Sequence, residues 1–258
     1  MNRLWGMACL GVMALATAAV TAQVATPEPV SASWVGKAAE IEEFMRTAAI
    51  AKTTPLSIGV TKSERAFFAP GGPVESAAWK ILRPGRRNGY FESYKSEIAA
   101  YELDKLLELG MVPPKVERRV DNQVGVAIMW VAPATSFKDS GGMPKAPSNH
   151  QARFNAQLTR AKMFHNLIGD IDPNLGNWLV DPGWNLILID HSRALTTTKS
   201  LVHKMLGKDD ALWARAMALT EESLTASVGQ WLGRDEIRAL LERRAKMQEE
   251  FDKLARSR

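Results

Sequence analysis

The chain of 258 residues has one cysteine, Cys9, so it has no material for a disulfide framework. It also lacks any block of five like charges. Lys and Arg outnumber Asp and Glu 33 to 28, an excess too small to name a nucleic acid or a membrane as partner. Its four histidines, His150, His165, His191 and His203, lack the paired spacing of a zinc site. No internal repeat is visible. What is present is an ordinary folded composition, 46% apolar and 24% charged, at a length that suits one large domain or two lobes. Such a chain can bury a core without disulfides or a structural metal.

The long uncharged run at the start, Leu4 to Val20, follows the singly positive Asn2-Arg3, and Val20-Thr21-Ala22 offers small residues for cleavage before Gln23. Residues 1–22 therefore read as a secretory signal peptide. The competing reading is a retained membrane anchor over residues 4–20, which are just long enough to span. Both export the rest of the chain, to the periplasm or beyond. Cleavage would also remove Cys9, leaving a mature chain held by its core alone.

Residues 23–33, with Pro27 and Pro29 among small residues, read as a linker. The spacing of Ile41, Phe44, Met45 and Ala48 predicts a helix over Lys37 to Lys52. Short β-prone pieces follow at Leu56 to Thr61, Arg65 to Ala69 and Ser76 to Leu82. A helix is expected from Tyr94 to Leu109, with Ser93 as N-cap and Gly110 and Pro113-Pro114 as its stop. Two more strands are expected at Val116 to Val120 and Val124 to Val131. After a Pro/Gly/Ser-rich stretch, everything but one hairpin reads helical. The order is α+β and bilobed: a strand-rich N-lobe with one inserted helix over 34–131, a hinge loop over 132–147, and a mainly helical C-lobe over 148–258. A cleft between such lobes is a common place for a ligand.

The densest chemistry lies between Ile168 and Ser192. Asp172 and Asn177 have the spacing D-x-x-x-x-N, and a hairpin, Trp178 to Val180 and Leu186 to Ile189 about the turn Asp181-Pro182-Gly183, then delivers Asp190 at its end. Two carboxylates and an amide are hard oxygen ligands of the kind that hold Mg²⁺ or Mn²⁺ against phosphates, with one carboxylate free to orient a hydroxyl. Asp170 is an alternative acid, but Leu175 stands where its paired amide would be, so it reads as a turn-capping residue. His165, on an apolar helix face, reads as a core histidine.

Lys80 in Ala77-Ala78-Trp79-Lys80-Ile81-Leu82, Glu97 in the next helix, Asp172 with Asn177, and Asp190 form an ordered set. That set resembles the protein-kinase-like superfamily. In texture it is most similar to the secretory-pathway kinases of the Four-jointed type, through the helix around Ser96 to Leu107 and the Val112-Pro113-Pro114 turn, and more distantly to HipA-type and phosphoinositide kinases. The likeness covers roughly Ile58 to Leu195. It implies a bilobed kinase-like fold and ATP-dependent phosphoryl transfer with Mg²⁺ or Mn²⁺. By the same resemblance Lys80 places a cation on the α and β phosphates and Glu97 holds that ammonium or joins the metal site. Asp172 orients the acceptor hydroxyl, Asn177 and Asp190 hold metal, and adenine lies near Met129, Trp130 and Val131. There is no G-x-G-x-x-G, and the candidate phosphate-covering hairpin is Ile58 to Lys62, with Lys62 on the phosphates. Pro173-Asn174 follow Asp172, and His191-Ser192 follow Asp190, where the relatives carry Arg-His and Phe-Gly.

The sequence thus points to an exported kinase acting on a protein, sugar or lipid hydroxyl, with nucleotide as its partner. The C-terminal stripe Ile237, Leu240, Leu241, Met247, Phe251 and Leu254 is helix packing with a solvated basic face, so no nucleic acid and no obligate partner are expected. Two competing readings are a nucleotide-binding pseudokinase that regulates a partner and a secreted hydrolase using paired carboxylates.

Overall fold

The structure, a computed structural model, describes Met1 and residues 32–56, 63–172 and 174–256. The proposed signal peptide, most of the linker, and Lys62 with the rest of the 58–62 hairpin lie outside the described residues. Among the described residues no helix is long and apolar enough to cross a membrane.

The N-terminal half is built on an antiparallel sheet in the order β1-β2-β3-β7-β6, formed by β1 (Ile50–Pro55), β2 (Ser63–Phe68), β3 (Ser76–Lys80), β6 (Lys115–Val120) and β7 (Gln123–Met129). A small hairpin, β4 (Gly85–Arg87) and β5 (Tyr90–Glu92), is inserted after β3 and leads into helix α2 (Tyr94–Leu106). Helix α1 (Ala38–Thr47) packs on the sheet through Ile41 and Met45. It ends earlier than its spacing predicts. The β-branched Ile50, Thr53 and Thr54 prefer a strand, and Arg118 donates to the carbonyls of Met45 and Ala48, closing the helix end. Strand β1, which was not expected, ends at Pro55, and the strand expected over Leu56 to Thr61 lies, but for Leu56, outside the described residues.

Helix α2 begins as expected, with the Ser93 hydroxyl accepting from Lys95 N. It stops at Leu106 rather than Leu109 because the Asp104 carboxylate accepts from the N–H groups of Gly110, Met111 and Val112, folding the chain back into the Pro113-Pro114 turn. Its N-terminal half places Ile98 against Leu82, just beyond β3, and against Val126 and Ile128 of β7, whereas Leu103 and Leu107 enter the C-terminal core. One helix therefore ties the two halves together.

The C-terminal half contains β8 (Thr135–Ser136), α3 (Ser148–Ile168), a 3₁₀ turn (Leu175–Asn177), the hairpin β9 (Trp178–Val180) and β10 (Leu186–Leu188), and helices α4 (Asp210–Ala218), α5 (Glu221–Val228) and α6 (Arg234–Arg256). Strands β8, β9 and β10 form a second sheet. The mainly helical expectation meets one difference: residues 189–209 form neither helix nor strand. They are held instead by side chains. Arg243 of α6, wholly buried, donates to the carbonyls of Leu167, Thr196 and Thr198.

Gly169 ends α3 in the left-handed region, φ 63°, and a Cβ there would sit 2.9 Å from the Arg243 guanidinium. Gly36 has a φ of 84° with nothing within 4 Å. Gly36→Ala is expected to cost ~1–2 kcal/mol of backbone strain alone. Gly169→Ala is expected to cost more, because it also displaces Arg243 from the turn before Asp170. Urea midpoints of the two variants check the difference, and equal losses would remove Arg243 from the account.

Candidate active site

The site begins with a lysine at the end of a strand. Lys80 pairs in register with Val126 of β7 and Ser63 of β2, and its Nζ lies 3.0 Å from Glu97 and 2.9 Å from Asp190. Burial alone would lower its pKa, but the adjoining Asp190 and Glu97 carboxylates outweigh that and hold it above the usual lysine range. Gly125 on the neighbouring strand allows the approach, since a Cβ there would meet Lys80 O at 2.3 Å. Glu97, in the first turn of α2, has no exposed side-chain surface. Burial works to raise its pKa, yet the ammoniums of Lys115 and Lys80 hold it well below the carboxylate range.

Lys115 was not foreseen from the sequence. It opens β6 just after Pro113-Pro114, is wholly buried, and bonds Glu97 Oε2 and Nδ1 of His191. The His191 N–H also donates to Glu97 Oε2, at 3.0 Å. Both carboxylate oxygens of Glu97 are thus taken by protein donors. Through Oε1 it holds the Lys80 ammonium.

Asp190 follows β10 with φ 57°, a left-handed conformation that turns its side chain back toward Lys80. It is 36% exposed. Its Oδ1 accepts from Lys80 and the Ser192 hydroxyl, and Oδ2 has no partner among the described residues. Asn177 closes the 3₁₀ turn, and its carbonyl accepts from Ile189 N at 3.0 Å, which brings the Asn177 and Asp190 segments side by side. The amide Nδ2 of Asn177 is buried with no hydrogen-bond partner. A free carboxylate oxygen fits a hard divalent cation, to which Asn177 could add only its Oδ1, because the unpartnered Nδ2 is a donor with no lone pair to offer.

Asp172 lies in the turn between α3 and the 3₁₀ helix. Its N–H donates to Asp170 Oδ1 at 3.1 Å, its own Oδ1 accepts from Asn174 N at 3.1 Å, and its Oδ2 lies 3.4 Å from Arg193. Arg193, also unforeseen, is held by Glu92 at 2.8 Å and lies over the ring of Tyr90. Asp170 itself is buried and caps the turn. Burial, with Asp190, Asp172 and Glu97 nearby, pushes its pKa up to about 8 despite the N–H it accepts from Asp172.

Beneath this turn Asp170, His165 and His191 bring ligand-type atoms within 4.8 Å of one another, a proximity that sequence spacing did not reveal. Burial pushes His165 down to about 3 and His191 well below the imidazole range. The Lys115 ammonium can only donate to Nδ1 of His191, which leaves the proton on Nε2. That tautomer presents a donor rather than a metal-ligating lone pair. The cluster therefore reads as core polar packing under the loop.

Met129 ends β7, and Trp130 and Val131 follow it. Met129 and Val131 are half-buried and, like Leu179 and Ile189 of the C-terminal half, pack against the apolar core of the N-terminal sheet. The Trp130 ring is instead covered by the Arg65 guanidinium, 4.4 Å away.

No protein-family model matches the sequence, and no curated protein matches it. Solved structures do match. The hydra Fam20 structure with sugar superposes with a TM-score of 0.60 over 86% of this chain and 90% of its own, at 15% identity. The Golgi casein kinase with Mn and ADP bound gives 0.55 over 81% and 74%, also at 15% identity. The Helicobacter pylori proinflammatory kinase CtkA gives 0.51 over 80% and 92%, at 10% identity. The fold is protein-kinase-like. In its terms the five-stranded sheet with α2 is the N-lobe and the α3 to α6 region is the C-lobe. The α+β, bilobed expectation holds.

Proposed function

We propose that the chain is an exported phosphotransferase that moves the γ-phosphoryl group of ATP to a hydroxyl acceptor with Mg²⁺ or Mn²⁺. The observation that carries this reading is the Lys80 ammonium, fixed between Glu97 and Asp190 where the two lobes meet. Such a cation has a purpose at the phosphates of a bound nucleotide. The half-buried apolar side chains of Met129, Val131, Leu179 and Ile189 suit an adenine ring. The manganese and ADP in the Golgi casein kinase, and the sugar in the hydra Fam20 structure, support a metal–nucleotide pair and a hydroxyl-bearing acceptor.

In the reaction the acceptor oxygen forms a bond to the γ-phosphorus, the bond from that phosphorus to the bridging oxygen breaks, and ADP leaves. The hydroxyl proton passes to Asp172. The chain's residues do most of this by position: Lys80 holds the α and β phosphates, and Asp172, its Oδ1 fixed by Asn174 N, orients the hydroxyl. Asn177 and Asp190 are the residues to hold the cation, which when bound neutralises phosphate charge.

Thermal shift with ADP tests the site. Wild type should gain melting temperature with ADP and Mg²⁺ or Mn²⁺ together, and Asp190→Ala should lose that metal-dependent gain. A full gain in Asp190→Ala would remove Asp190 from the metal site. Export is tested separately: protein recovered from the native host should begin near Gln23 and lie outside the cytoplasm. A retained Met1 on cytoplasmic protein would refute export.

A further inference from the structure

Arg193 stands three residues after Asp190 in a stretch that forms neither helix nor strand, yet its guanidinium is held on three sides. Nε and Nη2 lie 2.9 and 2.8 Å from Glu92 Oε1, the guanidinium lies over the Tyr90 ring at 4.6 Å, and Nη1 lies 3.4 Å from Asp172 Oδ2. Tyr90 and Glu92 are two apart on β5 and so share one face of the β4–β5 hairpin, whose tight turn, Asn88-Gly89, has both residues at positive φ. The backbone is fixed beside them, since Ser93 N donates to Ser192 O at 2.9 Å. A long side chain that would otherwise sample many rotamers thus has its direction settled before any substrate arrives.

The contact with Asp172 differs in kind from the contact with Glu92. At 3.4 Å it is within ion-pair reach but longer than the about 2.7–2.9 Å of a charge-assisted hydrogen bond. The guanidinium therefore attracts Oδ2 without taking up its lone pairs. The other oxygen, Oδ1, accepts from Asn174 N, which alone would leave the carboxylate free to turn about its Cβ–Cγ bond. With Asn174 on one oxygen and a fixed cation opposite the other, the carboxylate plane is set, and Oδ2 keeps the capacity to accept a proton. The Asp172 and Arg193 side chains are only 16% and 17% exposed, so solvent screens their attraction in part.

Resting on the phosphotransferase reading, we propose that Arg193 is a positioning residue for Asp172: anchored by Glu92 and Tyr90, it holds the carboxylate in the orientation that takes the acceptor's hydroxyl proton on Oδ2. The β4–β5 hairpin, inserted between β3 and α2, thereby supports a base that belongs to the C-terminal half. Its three partners leave Arg193 no free fork for phosphate, which sets its role apart from that of Lys80.

The test is a double-mutant cycle on the full chain, read as ADP released from ATP and Mg²⁺ with water, a serine peptide, a free hexose or phosphatidylglycerol vesicles as acceptor, whichever wild type uses fastest. Arg193→Gln should lower kcat about tenfold or more with KM for ATP within a few-fold. It should cost nothing further in an Asp172→Asn background, because a positioning residue has no effect once the base it positions is gone. Glu92→Gln, which loosens the arginine without removing it, should lower kcat less and be equally silent beside Asp172→Asn. Arg193→Lys, a cation without the fork, should recover only part of the loss. Every variant should keep the rise in melting temperature with ADP and Mg²⁺, and if Arg193→Gln fails to fold, the cycle with Glu92→Gln decides. Losses that multiply in the double variant overturn the inference and leave phosphoryl transfer standing. So does a folded Arg193→Gln that has lost the ADP and Mg²⁺ shift, because its role is then structural. A wild type that releases no ADP with any of these acceptors overturns the phosphotransferase reading and this inference with it.

Discussion

Asp172→Asn is expected to lower phosphoryl transfer by ~10² or more while leaving metal–nucleotide affinity within a few-fold, the scale of a positioned general base. The structure makes this substitution selective. An asparagine keeps the side-chain oxygen that accepts from Asn174 N, so the turn is preserved, and it loses the negative charge opposite Arg193 and the capacity to take the hydroxyl proton. Asp170→Asn serves as the control. Asp170 is buried, and its Oδ1 is engaged by Asp172 N, a bond the amide oxygen can also accept. Its loss should therefore cost far less activity. Initial rates with saturating acceptor decide the matter, and an active Asp172→Asn beside a dead Asp170→Asn would move the base two residues upstream. Full nucleotide binding with no transfer by wild type to any protein, sugar or lipid acceptor would favour the pseudokinase reading.

The contrast between these two acids shows what the sequence could carry. The missing amide five residues after Asp170 separated it from Asp172, and the structure places Asp170 under the turn. Lys80, Glu97 and Asp190 lie far apart in the chain, and it was the resemblance of their order to the kinase-like set that pointed to their meeting. Lys115 was illegible because a lysine opening a strand after Pro-Pro usually reaches solvent, and only the packing of α2 against β6 and β7 buries it. Arg193 was illegible for a related reason: its partners, Glu92 and Asp172, come from different lobes. The β4–β5 hairpin did carry a local signal, Asn88-Gly89 between Arg86-Arg87 and Tyr90-Phe91, strong enough to have placed it. The early end of α1 depended on Arg118, 70 residues beyond Ala48, and no local pattern reports such a partner.

The largest stability effect should come from Glu97. Glu97→Gln preserves shape but leaves two ammoniums facing a neutral amide; Lys80 retains Asp190, whereas the wholly buried Lys115 retains the His191 imidazole as hydrogen-bond partner and only the longer-range attraction of Asp104. Breaking a buried ion cluster from one side costs ~3–5 kcal/mol because a desolvated charge is left behind. The pH dependence has a definite sign. Burial tends to raise the Glu97 pKa, but Lys115 and Lys80 hold it in the folded chain well below its ordinary value of 4.5, so its contribution is fully present above that value and is lost as pH falls through the folded pKa. The gap in urea-unfolding free energy between wild type and Glu97→Gln should stay constant from pH 7 to about 5 and narrow on further acidification. A gap that is absent at pH 7, or unchanged down to pH 3, would refute the depressed carboxylate. Adding Lys115→Met to Glu97→Gln separates charge from packing. With the stranded ammonium gone, the double variant should recover part of the loss, and a double loss equal to the sum of the singles would mean that Lys115 and Glu97 are not coupled.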